Sequence, residues 1–280
     1  MRLVFFILIV VFSKQSYALE ISSNGGVFIM DGIIEEGDAK KVALLFSNLD
    51  EPPNMFLISS YGGNIQEAIK IGRFIRLSNV PVWTDKQCYS ACVFIWAAGV
   101  DRIAIGEIGL HRPRYEHGYF SSLSLYEAQK KYVQLTKDSV EYLKEIEVPD
   151  KVIERIFKAP SNEVDLLTAV EANEEFGVRS AFYDEWLIAK CGAYNPEQLI
   201  IVNSYHSLEL ARILNPNVND EDISLEDDAK LAFNMEQKGL LAPYIKMIKD
   251  MDECRNNAVK EQVTKFHRGV KTKLKEMGMQ

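Results

Sequence analysis

Short apolar runs alternate with amphipathic stretches along the first two-fifths of the chain. Val27 to Met30 is such a run, closed by Asp31-Gly32, and predicts a strand entering a turn. Ala39 to Leu49 carries Val42, Leu44, Leu45 and Leu49 on one side and predicts an amphipathic helix. Met55 to Ser59 has the continuous apolar character of a buried parallel strand. Gly62-Gly63 interrupts it, and Ile65 to Leu77 returns to helical spacing through Ala68, Ile69, Gly72 and Ile75. Val80 to Thr84 predicts the next strand, and Ala91 to Gly99 a buried helix of small and apolar residues. Arg102 to Ile105 and Ile108 to Arg112 read as two further extended pieces. Strands and helices in alternation, joined by short links, are the pattern of parallel α/β units.

Beyond Arg112 the pattern is mostly helical. Ser124 to Lys144 predicts a long helix, stopped by Val148-Pro149, and Pro149-Asp150 opens a shorter one through Phe157. Leu166 to Ala172 leads into a helix closed by Gly177. From Pro196 onward the pattern is mostly polar helix, with an acidic, turn-rich link over Asn215 to Asp228. The first residues stand apart. Arg2, the apolar run Leu3 to Phe12 and the small residues of Ser16-Tyr17-Ala18 have the layout of a secretory signal peptide cut after Ala18. That run is about half the ~20 residues needed to span a bilayer, so retention as an uncleaved anchor is the lesser alternative. The expected organisation is residues 1–18 as signal peptide, 19–190 as an α/β domain and 191–280 as a helical extension. The mature protein is expected to be periplasmic or secreted.

Composition narrows the partners. Hydrophobic residues at 47% and charged residues at 26% are ordinary for a globular chain of 280 residues. A net charge of -8 argues against a nucleic-acid binder that neutralises phosphates. The basic residues from Lys260 to Lys275 are interspersed with Glu and Gln and read as a solvated helix face. Export makes the four cysteines an even set in an oxidising compartment, with three possible pairings. Joining Cys88 to Cys92 would brace the serine between them. On a regular helix their Cβ atoms stand too far apart, so this bridge requires Cys88 in a strand or turn. Cys191 would then pair with Cys254 and tie down the C-terminal helices. The spacings do not gather four zinc ligands, and no metal or cofactor is expected.

Three segments carry chemistry: Ser59-Ser60-Tyr61-Gly62-Gly63-Asn64, Cys88-Tyr89-Ser90-Ala91-Cys92 and Gly109-Leu110-His111-Arg112-Pro113. Together they offer a serine nucleophile (Ser90), a histidine base (His111) and backbone N–H donors for an oxyanion (Gly63 and Ala91, with Gly62 shaping the turn). Adjacent glycines let a backbone approach a substrate carbonyl with no Cβ in the way. A serine at a strand-to-helix turn presents its hydroxyl beside unsatisfied amides. Each residue also has a plainer reading: Ser90 as a small packing residue, His111 as a buried imidazole, Gly62-Gly63 as a turn. His117 sits among loop residues, His206 and His267 lack local partners, and Arg112 and Arg114 are either surface charges or carboxylate binders. Lys86 would be the base of a Ser-Lys dyad.

The order of these segments resembles the proteolytic subunit of Clp protease, and more closely the exported ClpP-like proteins with a Cys-X-Ser-Ala-Cys form around the serine. The resemblance covers about Val27 to Phe182. It implies an α/β fold, the ClpP/crotonase superhelix of ββα units, followed here by the helical extension. It also implies a serine-type peptidase with Ser90, His111, Gly63 and Ala91 in the roles given above. For the acid that orients His111 it points to Asp165, one residue out of register, with Glu163, a main-chain carbonyl or a water as alternatives. A peptide or protein substrate and a homo-oligomer follow from the resemblance, whereas an ATP-driven partner is not expected outside the cytoplasm. The competing readings are a catalytically silent scaffold of this fold that binds peptides or a protein partner, and a crotonase-type acyl-CoA enzyme, which export disfavours.

Overall fold

The apolar runs become the inner strands of two sheets. β1 (Glu20–Asn24) and β2 (Val27–Asp31) form a hairpin, followed by α1 (Asp38–Asn48), β3 (Met55–Ser59) and α2 (Ile65–Ser78). β4 (Val82–Thr84), β5 (Gln87–Tyr89) and α3 (Ala91–Trp96) make one ββα unit. β6 (Arg102–Ala104), β7 (Glu107–Leu110) and α4 (Leu125–Glu145) make the next. α5 (Asp150–Lys158), β8 (Asp165–Leu167) and α6 (Ala169–Phe176) complete this part. The computed structural model describes residues 17–115, 118–215 and 227–279. The expected signal peptide lies outside these apart from Tyr17 and Ala18, as do His117 and most of the acidic link.

The larger sheet has the order β1-β2-β3-β4-β6 and the smaller one β5-β7-β8. Each ββα unit therefore lends its first strand to the larger sheet and its second to the smaller one. β2, β3, β4 and β6 are mutually parallel, as the alternation predicts. The edge strands depart from it: β1 runs antiparallel to β2 through a Gly25-Gly26 turn with positive φ at both glycines, and β8 runs antiparallel to β7. Phe28 and Met30 face Phe56 and Ile58 in register, all four fully buried, as period-two alternation requires. On α1 the residues that reach the core are Val42 and Phe46, while Leu44, Leu45 and Leu49 stay partly exposed.

Two compact units emerge. The first runs to Arg179 and takes up the chain again from Phe266, and the second is Ser180–Lys265. The second unit is helical: α7 (Ala181–Cys191), α8 (Pro196–Leu214), α9 (Asp227–Gln237) and most of α10 (Ala242–Glu276). Asn195 and Gln198 form a reciprocal cap at the start of α8, with Pro196 in its first turn. Its core gathers Ile201, Leu208, Ala229, Ala232 and Leu241. Cys191 and Cys254 are joined, with Cα atoms 5.9 Å apart. The last residues of α10 belong to the first unit. There Phe266 packs on Phe46 and Phe74, and the His267 imidazole, 4% exposed, has Nε2 3.0 Å from the Phe46 carbonyl oxygen.

Candidate active site

Ser90 occupies the turn between β5 and α3. Its backbone has φ 58° and ψ −123°, outside the regions that L-residues favour, and its N–H donates to the Gly109 carbonyl at 2.9 Å. It is the N-cap residue of α3, yet its side chain makes no capping hydrogen bond, which leaves the hydroxyl uncommitted. Two restraints flank it. Tyr89 donates its hydroxyl to Glu107 at 2.7 Å and packs edge-on against Tyr61, and the hydrogen bond to Glu107 together with burial pushes the phenol up to about 12. Cys88 on β5 and Cys92 on α3 are joined, with Cα atoms 5.2 Å apart. The bridge forms because Cys88 is still strand, which removes the spacing that a regular helix would impose.

The glycine pair closes over this turn. Ile34 donates to the Gly62 carbonyl and accepts from the Asn64 N–H, so the segment is pinned on both sides of Gly63. Gly62 and Gly63 adopt φ 103° and 137°. A Cβ on Gly62 would stand 2.6 Å from the Ser90 Cβ and 3.1 Å from the Ala91 nitrogen, so only glycine lets the two turns touch. A Cβ on Gly63 would collide with the Ile34 carbonyl. Asn64 then caps α2 by accepting from the Gln66 and Glu67 N–H groups. Among the described residues, the N–H of Gly63 has no hydrogen-bond acceptor. That of Ala91, first residue of α3, has none within its helix.

His111 follows the last residue of β7. Its Nδ1 lies 2.9 Å from the Arg112 carbonyl oxygen, a contact that places the proton on Nδ1 and leaves Nε2 as the acceptor. Asp165 stands opposite Leu110 in the β7–β8 ladder, one step short of His111. Its carboxylate accepts from Arg155 Nε at 2.6 Å and Nη2 at 2.8 Å, and those bonds hold it below the usual carboxylate range. The acid expected to orient His111 is thus engaged by α5, and a main-chain carbonyl occupies the imidazole instead. Lys86 is held as an ammonium by Asp31 at 2.8 Å, which pushes its proton affinity up and unfits it as a base.

Ser90, Ala91, Gly63 and His111 line one pocket that is open to solvent. Ile65, Phe94, Pro113 and Arg114 complete its wall. Behind it, α3 is clamped at its other end by Arg102, 1% exposed. Arg102 donates to the carbonyls of Ala97, Gly99, Phe176 and Gly177, the terminal acceptors of α3 and α6. Burial lowers this guanidinium to about 10, still a cation at neutral pH and matched to the negative ends of two helices. Sequence reasoning passed over Arg102, because a buried arginine whose partners are all backbone carbonyls has no sequence signature. It also passed over the pocket residues Ile65, Phe94 and Pro113. Among the described residues, no group of His, Cys, Asp and Glu side chains is arranged to hold a metal ion.

No protein-family model matches the chain, and no curated protein matches it. Among solved structures, ClpP1 from Listeria monocytogenes is similar with a TM-score of 0.42 and 19% identity, over 55% of this chain and 88% of that one. Its N165D mutant gives a TM-score of 0.42 and 17% identity, over 56% of this chain and 92% of that one. At such identity and superposition, no chemistry passes from those structures to this chain.

Proposed function

We propose that this protein is an exported, ATP-independent serine peptidase of ClpP-like fold. Ser90 Oγ attacks the acyl carbonyl, His111 Nε2 takes its proton and later returns it to the leaving amine, and the N–H groups of Gly63 and Ala91 hold the developing oxyanion. We assign the orienting role on His111 to the Arg112 carbonyl, with Asp165 kept in its ion pair with Arg155. The observation that carries this reading is the convergence, in one pocket, of an uncommitted serine hydroxyl, an imidazole and two unpaired backbone N–H groups. Two disulfides fit an oxidising compartment. The start of α4 supports assembly with further copies of the chain, since Leu125 and Tyr126 there are 88% and 74% exposed.

The test is covalent labelling of the mature protein by a fluorophosphonate, with the adduct mapped by mass spectrometry. Labelling is expected at Ser90, absent in Ser90→Ala and slowed by about two to four orders of magnitude in His111→Ala. Folded wild type that takes no label would replace this reading with the silent scaffold.

A further inference from the structure

Arg114 is the cation in the wall of this pocket, and the peptidase reading gives it no task. Its side chain is exposed, and among the described residues it makes no ion pair and no hydrogen bond. Two of the other cations near the site are ion-paired, and the third, Arg112, has its Nε buried without a hydrogen-bond partner among the described residues. Lys86 is paired with Asp31, Arg155 with Asp165 and Glu175, and the Arg112 guanidinium lies over the Tyr132 ring at 6.0 Å. Ile65, Phe94 and Pro113 supply the apolar part of the same lining, beside the polar groups of Ser90 and His111. An arginine fork in the wall of such a pocket is matched to a carboxylate, because its N–H groups donate to both carboxylate oxygens at once. The chain as a whole carries a charge of -8, so this local cation also sets where an anionic substrate meets least repulsion.

Building on the serine-peptidase reading, we infer that Arg114 makes the site selective for substrates bearing a carboxylate beside the bond that is cut. The carboxylate is either the free C-terminus of a short peptide or the side chain of an acidic residue. Arg114 acts as a specificity residue and takes no part in proton transfer.

The test uses two fluorophosphonate probes with the same alkyl chain, one ending in a carboxylate and the other in its methyl amide. The wild type is expected to react about fivefold faster with the carboxylate probe, the size an exposed, geometrically favourable ion pair supports. This preference should shrink as salt is raised. In Arg114→Gln the two probes are expected to react at the same rate, and Arg114→Lys keeps part of the preference. Equal rates in the wild type, or a preference that survives in Arg114→Gln, overturn the inference and leave the nucleophile standing. Failure of both probes to label Ser90 removes the peptidase reading and this one with it. Competition then separates the two sources. Protection by peptides with a free C-terminus but not by their amides identifies the terminal carboxylate. Protection by amidated peptides with an internal Glu, but not by their Gln counterparts, identifies the side chain. Protection by neither overturns the inference.

Discussion

The two disulfides of this chain do different work. Cys191–Cys254 closes a separation of 63 residues, whereas Cys88–Cys92 closes only four. Loop-closure entropy in the unfolded chain grows with the logarithm of the loop, which assigns about 4 kcal/mol to the long bridge and about 2 kcal/mol to the short one. The long bridge is therefore foremost a stabiliser of the helical unit. The short one encloses Ser90 and ties the strand before it to the helix after it. In that region local conformation matters more than global stability.

The largest effect expected is that of Cys191→Ala with Cys254→Ala: about 4 kcal/mol lost from the helical unit, read as faster amide exchange across α7, α8 and α9. An equal loss of labelling at Ser90 would break the contrast between the bridges. Gly62→Ala comes next, at about 3 kcal/mol, because a left-handed backbone and a contact with Ser90 are imposed together. Its urea midpoint should fall and Ser90 should stop reacting, even with both disulfides intact. Cys88→Ala with Cys92→Ala should cost about 2 kcal/mol, yet slow the labelling of Ser90 more than the first pair does. If labelling is unaffected, Gly62 and the Tyr89–Glu107 contact hold the turn without the bridge.

The smallest effect concerns pH. Burial lowers the proton affinity of His267 below its ordinary value near 6.5, outweighing the carbonyls of Phe46 and Leu49 and nearby Glu51, while Lys271 adds to the lowering. The unfolded chain therefore binds the extra proton first, so stability is full above pH 6.5 and declines as pH falls below it. Urea midpoints at pH 7.5 and 5.5 should differ in the wild type by more than in His267→Gln. An equal difference in both would place the pH sensitivity elsewhere.

Much of the first unit was legible in the sequence because its inner strands and helices carry strong periodic patterns. β3 and α2 fall within a residue of where apolar spacing sets them. β1 and β5 were not legible: Glu20–Asn24 is mostly exposed and polar, and Gln87–Tyr89 is three residues long. The shared pocket of Ser90, His111, Gly63 and Ala91 was traceable through the order of three motifs. The partners that finish the site were not. The group against His111 is a backbone carbonyl, which every residue possesses. The pairing of Asp165 with Arg155 depends on how α5 is laid beside β8, and no local spacing encodes that. Phe46, Phe74 and Phe266 form one cluster from three distant helices, beyond the reach of any local window.

That cluster has a consequence for how the protein is made. Phe266 and His267, near the end of the chain, pack on a helix that begins at Asp38. A chain emerging from the ribosome has all of its candidate catalytic residues long before it has the segment that seals their domain. A premature stop between residues 180 and 265 would release a product with the nucleophile in place and Phe46 uncovered, a target for quality-control proteases.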